Sequence, residues 1–113
     1  MGKNLIQQAR GKGSPRYKTP SFRFKTDGKL KSHKAECING RIIDILNCQG
    51  HSAPVIKVKY ADGETRLMIA PEGIRVGDAL SAGPGAAAEP GNILLLSDVP
   101  DGTFLFNIES QPG

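Results

Sequence analysis

The sequence predicts an all-β protein, a small barrel of five or six short strands that follows an irregular basic arm. Two observations predict the barrel. Apolar residues lie mostly after position 36, in short segments divided by turn residues, and no segment has a sustained period of 3.6 residues. Positive charge is concentrated before position 35, which predicts the arm. The 113 residues are expected to form one small domain, with the arm at 1–34 and the barrel at 35–113.

The division of charge between these two parts is the strongest compositional signal. Residues 1–34 carry ten Lys/Arg and one acid, a net charge of +9, whereas residues 35–113 carry five Lys/Arg and ten Asp/Glu, a net charge of −5, which together give +4. A segment that repels itself in this way is typical of chains that bind a polyanion. The sequence shows neither an apolar run near 18 residues nor a secretory signal, and its two cysteines indicate reduced thiols, so we expect a cytoplasmic protein without a membrane partner.

The arm mixes cations with aromatic side chains and helix-breaking residues. Glycines and prolines interrupt residues 11–28, so we expect no regular structure there without a partner, apart from a short helical turn near residues 5–10. Cations neutralise phosphates, and aromatic and guanidinium planes stack on unpaired bases. The candidate RNA contacts of the arm are Lys3, Arg10, Lys12, Arg16, Tyr17, Lys18, Phe22, Arg23, Phe24, Lys25, Lys29, Lys31, His33 and Lys34. The alternative is a solvated, disordered tail.

The body begins with a predicted strand in the segment CINGRIIDIL. Its isoleucines favour a strand, and Asn39-Gly40 indicates a bulge or the entry into that strand, which we favour over a hairpin turn. Further along, the segment APEGIRVGDAL contains turns, and SAGPGAAAEPGN is a loop that leads to the apolar run ILLL. The segment FLFNIE is expected to be the final strand.

The segment VIKVKYADGETRLMIA predicts a β-hairpin. Two alternating stretches flank Asp62-Gly63, a dipeptide that suits a two-residue type I′ turn and would place Lys59 opposite Arg66. One face of this hairpin would join the core, and it comprises Ile56, Val58, Tyr60, Leu67 and Ile69. The other face would carry Lys57, Lys59 and Arg66.

Like charges directly opposite one another on paired strands are destabilising. Either a bound phosphate or a neighbouring carboxylate such as Asp44 would offset this repulsion, and both explanations stay open at this point. The candidate RNA contacts of the body are Arg41, His51, Lys57, Lys59, Arg66 and Arg75.

Metal and catalytic chemistry have weaker support. The order H-x3-C-x10-C-x2-H, formed by His33, Cys37, Cys48 and His51, faintly resembles a zinc site. An intervening strand would hold the two cysteines roughly 35 Å apart, so we expect unliganded thiols. A Cys-His pair lacks an orienting third group and an oxyanion hole, and the glycine-rich loop lacks the Lys-Ser/Thr of a phosphate loop. We therefore expect no enzyme, no cofactor and no small-molecule substrate.

The arm contains the segment MGKNLIQQARGKGSPRYKTPSFRFK, and the body contains, in order, GHSAPVIKVKY, IAPEGIRVGD and PGNILLL. Together, and in this order, these segments resemble the large-subunit ribosomal protein L2 family in its archaeal form. The resemblance covers the whole chain. It implies an oligonucleotide-binding (OB-like) barrel whose arm threads through large-subunit ribosomal RNA, next to neighbouring large-subunit ribosomal proteins.

The chain departs from that family pattern in two respects. The family normally continues past ESQPG into a second, SH3-like barrel and a basic tail, and it often has Arg where this chain has His51, which would weaken a phosphate contact there or make it pH-dependent. Two other classes of protein stay open: a free nucleic-acid-binding module, such as a translation or tRNA-binding factor, and a protein–protein adaptor whose arm keeps it soluble.

Overall fold

The computed structural model describes residues 2–32 and 35–111, and within them the prediction of an all-β body is confirmed. The strands are β1 (Ile38–Leu46), β2 (Val55–Tyr60), β3 (Thr65–Ile69) and β4 (Ala79–Ala82). The helical segments are α1 (Ile6–Gly11) and three 3₁₀ turns at Pro15–Tyr17, Ser21–Arg23 and Leu96–Asp98.

The four strands form one antiparallel sheet in the order β3-β2-β1-β4. Asn39-Gly40 lies inside β1, which confirms the strand entry that we favoured over a hairpin turn. A side chain at Gly40 would lie 2.7 Å from the ring of Tyr60, so the glycine allows this ring to pack flat on the sheet. The one irregularity of β1 is a register shift between Ile42 and Asp44 against β2.

The predicted register of the hairpin is wrong by one residue. Tyr60 N–H donates to the Glu64 carbonyl, and Gly63 N–H donates to the Tyr60 carbonyl, so the loop has three residues instead of two. Gly63 has a φ of +89°, which suits a three-residue loop that ends in a left-handed glycine. Because strand side chains alternate, this single extra residue moves every side chain of β3 to the opposite face.

The core lies on one face of the sheet and follows the corrected register. Three of the predicted core residues, Ile56, Val58 and Tyr60, are buried there. On β3, however, Met68 takes the core position opposite Ile56, while the predicted Leu67 and Ile69 lie on the other face. The fully assembled core cluster is Ile42, Ile56, Val58, Tyr60, Met68, Leu80 and Ala82.

The C-terminal part of the described chain is less regular than predicted. Ile93 of the apolar run forms an isolated bridge with Ala82, but the segment FLFNIE is not a strand. Its apolar side chains are exposed, and Phe104 is completely so. This segment pairs with none of the four strands of the described sheet. The sheet of the described residues is therefore open, with four strands and a bridge.

The arm contains short helical turns but no buried residue between positions 2 and 23. Helix α1 confirms the helical turn expected near residues 5–10. The longest dimension of the chain is 65 Å and its radius of gyration is 17.9 Å, compared with about 13 Å for a compact domain of 100 residues. The arm therefore extends away from the sheet.

Residues 24–31, which we call the strap, are different because they pack on the body. The Lys25 N–H donates to Cys48 Sγ at 3.2 Å, and the Thr26 hydroxyl donates to the Leu67 carbonyl at 3.4 Å. Gly28 is buried, and a side chain at this position would contact Ile69 at 3.4 Å. The strap thus covers β3, an edge strand whose unpaired backbone groups would otherwise be open to another chain.

Lys31 fastens the end of the strap to the hairpin loop. It is only 4% exposed, and its ammonium donates to Asp62 at 3.0 Å and to Glu64. The same ammonium lies 4.6 Å from the centre of the Tyr60 ring. Burial pushes the pKa of Lys31 down, but the hydrogen bonds and charges of the two carboxylates outweigh it, so the pKa is raised above its ordinary value.

We predict that Lys31→Met destabilises the fold, because it removes the buried cation that Asp62 and Glu64 share. Breaking a fully buried pair costs about 3–5 kcal/mol, and partial exposure of both carboxylates reduces this to about 1–3 kcal/mol. The measurement is the free energy of unfolding in urea. The matched control is Lys29→Met, which removes an exposed lysine from the same strap. Equal stability of the two variants would contradict the role of Lys31.

The same cluster predicts a pH dependence of stability. Hydrogen bonds from Lys31 and Arg66 hold the pKa of Glu64 below its ordinary value of 4.5, so its contribution is complete above pH 4.5 and is lost as the pH falls through the lowered pKa. Between pH 7 and pH 3, the urea midpoint of Glu64→Gln should therefore fall less than that of the unaltered chain. The exposed Glu72→Gln serves as control; parallel pH profiles for all three proteins would show that Glu64 is not the group responsible.

Candidate nucleic-acid interface

The outer arm, residues 2–23, presents its charge without any counter-charge. All six of its cations and both of its aromatic side chains are exposed: Lys3, Arg10, Lys12, Arg16, Tyr17, Lys18, Phe22 and Arg23. Arg23 lies over the ring of Phe22, with 5.9 Å between the guanidinium carbon and the ring centre. This segment contains no acid, so its field is uniformly positive and its planar groups face solvent.

The arm leaves the body beside the loop between β1 and β2. Phe24 packs against Gly50, and its ring centre is 5.8 Å from that of His51. His51 Nε2 lies 2.9 Å from the Thr26 carbonyl, which accepts a hydrogen bond from it. The sequence-predicted residues Phe24, Lys25 and His51 therefore meet at one place, where they hold the root of the arm.

Cys48 is the buried centre of this junction. It is 1% exposed, and the hydrogen bond from the Lys25 N–H holds the pKa of its thiol below the usual range, although burial opposes this effect. The strand β1 separates it from Cys37, as the sequence predicted, so the two thiols lie at opposite ends of that strand. No group of three or more potential metal ligands occurs among residues 2–32 and 35–111.

Two of the cations that were predicted to contact RNA are instead paired with neighbouring carboxylates. Lys31 is buried between Asp62 and Glu64, as described above. Arg66 Nε donates to Glu64 Oε1 at 2.7 Å, and Arg66 lies opposite Val58 rather than opposite Lys59. The predicted repulsion between Lys59 and Arg66 therefore does not exist in the structure.

The outer face of the sheet, on the side away from the core cluster, carries a smaller group of cations. Arg41 on β1 lies directly opposite Lys59 on β2, and both are exposed. Lys57, the next outward residue on β2, lies opposite Asp44, the carboxylate that the sequence suggested as an alternative to phosphate. A carboxylate thus faces Lys57, whereas Lys59 faces another cation.

The remaining residues that were predicted to contact RNA are either exposed or outside the described part of the chain. Lys29 and Arg75 are exposed, and the backbone N–H of Arg75 donates to Asp78 Oδ2 at 2.8 Å. His33 and Lys34 lie outside the described residues. Among the helices of the described chain, none is long and apolar enough to cross a membrane.

Sequence reasoning missed the strap. Its lysines and glycine continue the pattern of the outer arm, and the carboxylates that neutralise Lys31 lie 31 and 33 residues further along the chain. One available signal was Leu30, an apolar residue within a basic segment that packs against the core cluster. Asn107, at the other end of the chain, also donates to the Gly28 carbonyl at 3.1 Å, a contact that local pattern does not reveal.

An antiparallel sheet with an acid-free cationic extension is typical of small β domains that bind a polyanion. Residues 5–82 match the family model described as Ribosomal Proteins L2, RNA binding N-terminal domain. The chain belongs to this family, as its resemblance to the archaeal form predicted.

Several archaeal relatives, each named large ribosomal subunit protein uL2, align with the whole of the chain. The protein of Methanocella arvoryzae is 47% identical over 114 residues, and that of Methanococcus vannielii is 45% identical over 117 residues. The protein of Methanothermobacter thermautotrophicus is 43% identical over 119 residues. These alignments take in 48%, 49% and 48% of the respective relatives, so the chain spans about half their length.

Proposed function

We propose that the chain is a structural constituent of the large ribosomal subunit in the cytoplasm, where it binds large-subunit ribosomal RNA. Its partners are that RNA and neighbouring large-subunit ribosomal proteins, and its role is structural rather than enzymatic, supporting subunit assembly and translation. Membership of the family whose model is described as RNA binding supports this proposal. The relatives from three archaeal genera, which carry the name of a large-subunit protein, support it further.

The observation that carries the proposal is the physical separation of charge in the structure. Six cations of the outer arm are exposed on a segment without acids, which extends from a body whose predicted net charge is −5. Extended chains with Gly and Pro follow irregular nucleic-acid surfaces that a regular helix or strand does not fit. Release of counterions from the RNA supplies the free energy of such contacts.

The proposed interface has two parts. The outer arm supplies phosphate contacts through its lysines and arginines and stacking through Tyr17 and Phe22, while the outer face of the sheet supplies Arg41, Lys57 and Lys59. His51 and Arg75 are secondary contacts at its margins. Lys31 and Arg66 are excluded from the interface because carboxylates already neutralise them.

Deletion of residues 1–23 tests the role of the arm. We predict that affinity for large-subunit ribosomal RNA falls at least tenfold at moderate salt, because six phosphate-binding cations are lost. The plot of log affinity against log salt concentration should also become less steep, by about one per lost phosphate contact. The cut is made at residue 23 because the strap packs on the body.

The control for this deletion is a chain of full length in which the same six cations are replaced by Gln. Both variants should keep the urea midpoint of the unaltered protein, since residues 2–23 bury no side chain. RNA binding as tight as that of the unaltered chain would show that the arm is not the principal contact.

Fractionation of native complexes separates a ribosomal protein from a free nucleic-acid-binding module. The chain, expressed in an archaeal host, should sediment with large subunits at low salt and be released from them at high salt. Its recovery in light fractions alone, under conditions in which it still binds ribosomal RNA, would favour the free module.

A further inference from the structure

The pairing of β1 with β2 brings together two cations that are distant in the sequence. Arg41 and Lys59 are direct partners on the antiparallel strands β1 and β2. Side chains in this relation start from Cβ atoms about 4.5–5.5 Å apart and stand on the same face. Both are exposed, so their charged groups reach the same volume of solvent above the sheet.

The row of residues across the sheet at this level contains no carboxylate. Thr65 lies next to Lys59 on β3, and Ala79 lies next to Arg41 on β4. In the next row towards the start of β1, Ser81 donates to Asn39 Oδ1 at 2.9 Å. Within the described part of the chain, neither Arg41 nor Lys59 forms an ion pair within 4.0 Å.

The other two cations on β2 and β3 each have a carboxylate as a cross-strand partner or as a hydrogen-bond acceptor. Lys57 faces Asp44 across the strands, and Glu64 accepts a hydrogen bond from Arg66. A body with twice as many acids as cations thus leaves two adjacent cations uncompensated on one exposed surface. Like charges directly opposite one another on paired strands destabilise the free protein. An anionic ligand that binds both side chains would remove this repulsion.

We propose that Arg41 and Lys59 form a single binding site for one phosphodiester group of the RNA backbone. The planar guanidinium of Arg41 donates two parallel hydrogen bonds to the phosphate oxygens, while the Lys59 ammonium adds a compact charge beside it. Asn39 flanks the site, and its amide nitrogen provides a further donor, while its Oδ1 accepts the hydrogen bond from Ser81. The site rests on the proposed function and assigns to the sheet face a contact independent of the arm.

The test compares Arg41→Gln, Lys59→Gln and the double variant in the full chain. The probe is large-subunit ribosomal RNA transcribed from the sequence of Methanocella arvoryzae, titrated at several salt concentrations. We expect the double variant to reduce the slope of log affinity against log salt by about one, relative to the unaltered chain, because one phosphate contact is lost. The matched control is Arg66→Gln, which removes one charge from the same sheet but should leave the slope unchanged.

Two further readouts make the outcome specific. If both side chains bind one phosphate, the losses of the single variants are coupled and do not add in the double variant. In the absence of RNA, each single variant should raise the urea midpoint, because the repulsion between the pair is removed. A merely damaged fold would lower that midpoint.

Each failure has its own signature. Absence of binding by the unaltered chain would overturn the proposed function itself. If the unaltered chain binds and the double variant retains both affinity and slope, the site is refuted while the proposed function stands. Strictly additive losses would refute the shared phosphate, since they would show that the two cations meet separate groups.

Discussion

The contact on which the rest of the structure depends is the buried ammonium of Lys31. A charge in that position requires opposite charges and a polarizable surface, and Asp62, Glu64 and the ring of Tyr60 provide them. Tyr60 is itself desolvated, and burial raises the pKa of its phenol to about 12. With Lys31 fixed, Leu30 packs against the core cluster and the strap covers β3, so this ion cluster fixes where the exposed outer arm meets the body.

The three-residue hairpin loop connects this cluster to the other features of the fold. One additional loop residue turns Glu64 and Arg66 towards the core side of β3. It also places Met68 in the core, where its sulfur accepts a hydrogen bond from Tyr60 at 3.3 Å. The same shift removes Arg66 from the position opposite Lys59. The length of this one loop therefore determines three features together: the composition of the core, the anchor of the strap and the charge pattern of the outer face.

The sequence could predict the features that depend on a short-range pattern, namely the strands and the charged arm. It could not predict the features that depend on the register between strands. Alternation in β2 and β3 and the charge division between arm and body are local, and both lead to correct elements. Asp62-Gly63, however, suits both a two-residue loop and a three-residue loop, and packing of Met68 rather than turn chemistry decides between them. Lys31 looked like any other cation of a basic segment, because its partners are distant in sequence.

The acids of the body neutralise some of its cations and leave others available to an anionic ligand. Glu64 pairs with Lys31 and Arg66, and Asp44 is the strand partner of Lys57, whereas Arg41 and Lys59 are the strand partners of each other. A polyanion approaching the protein is repelled by the acidic remainder of the body and attracted to the arm and to this uncompensated patch. The net charge of −5 is thus compatible with RNA binding, because it restricts the orientations in which RNA can approach rather than opposing the approach itself.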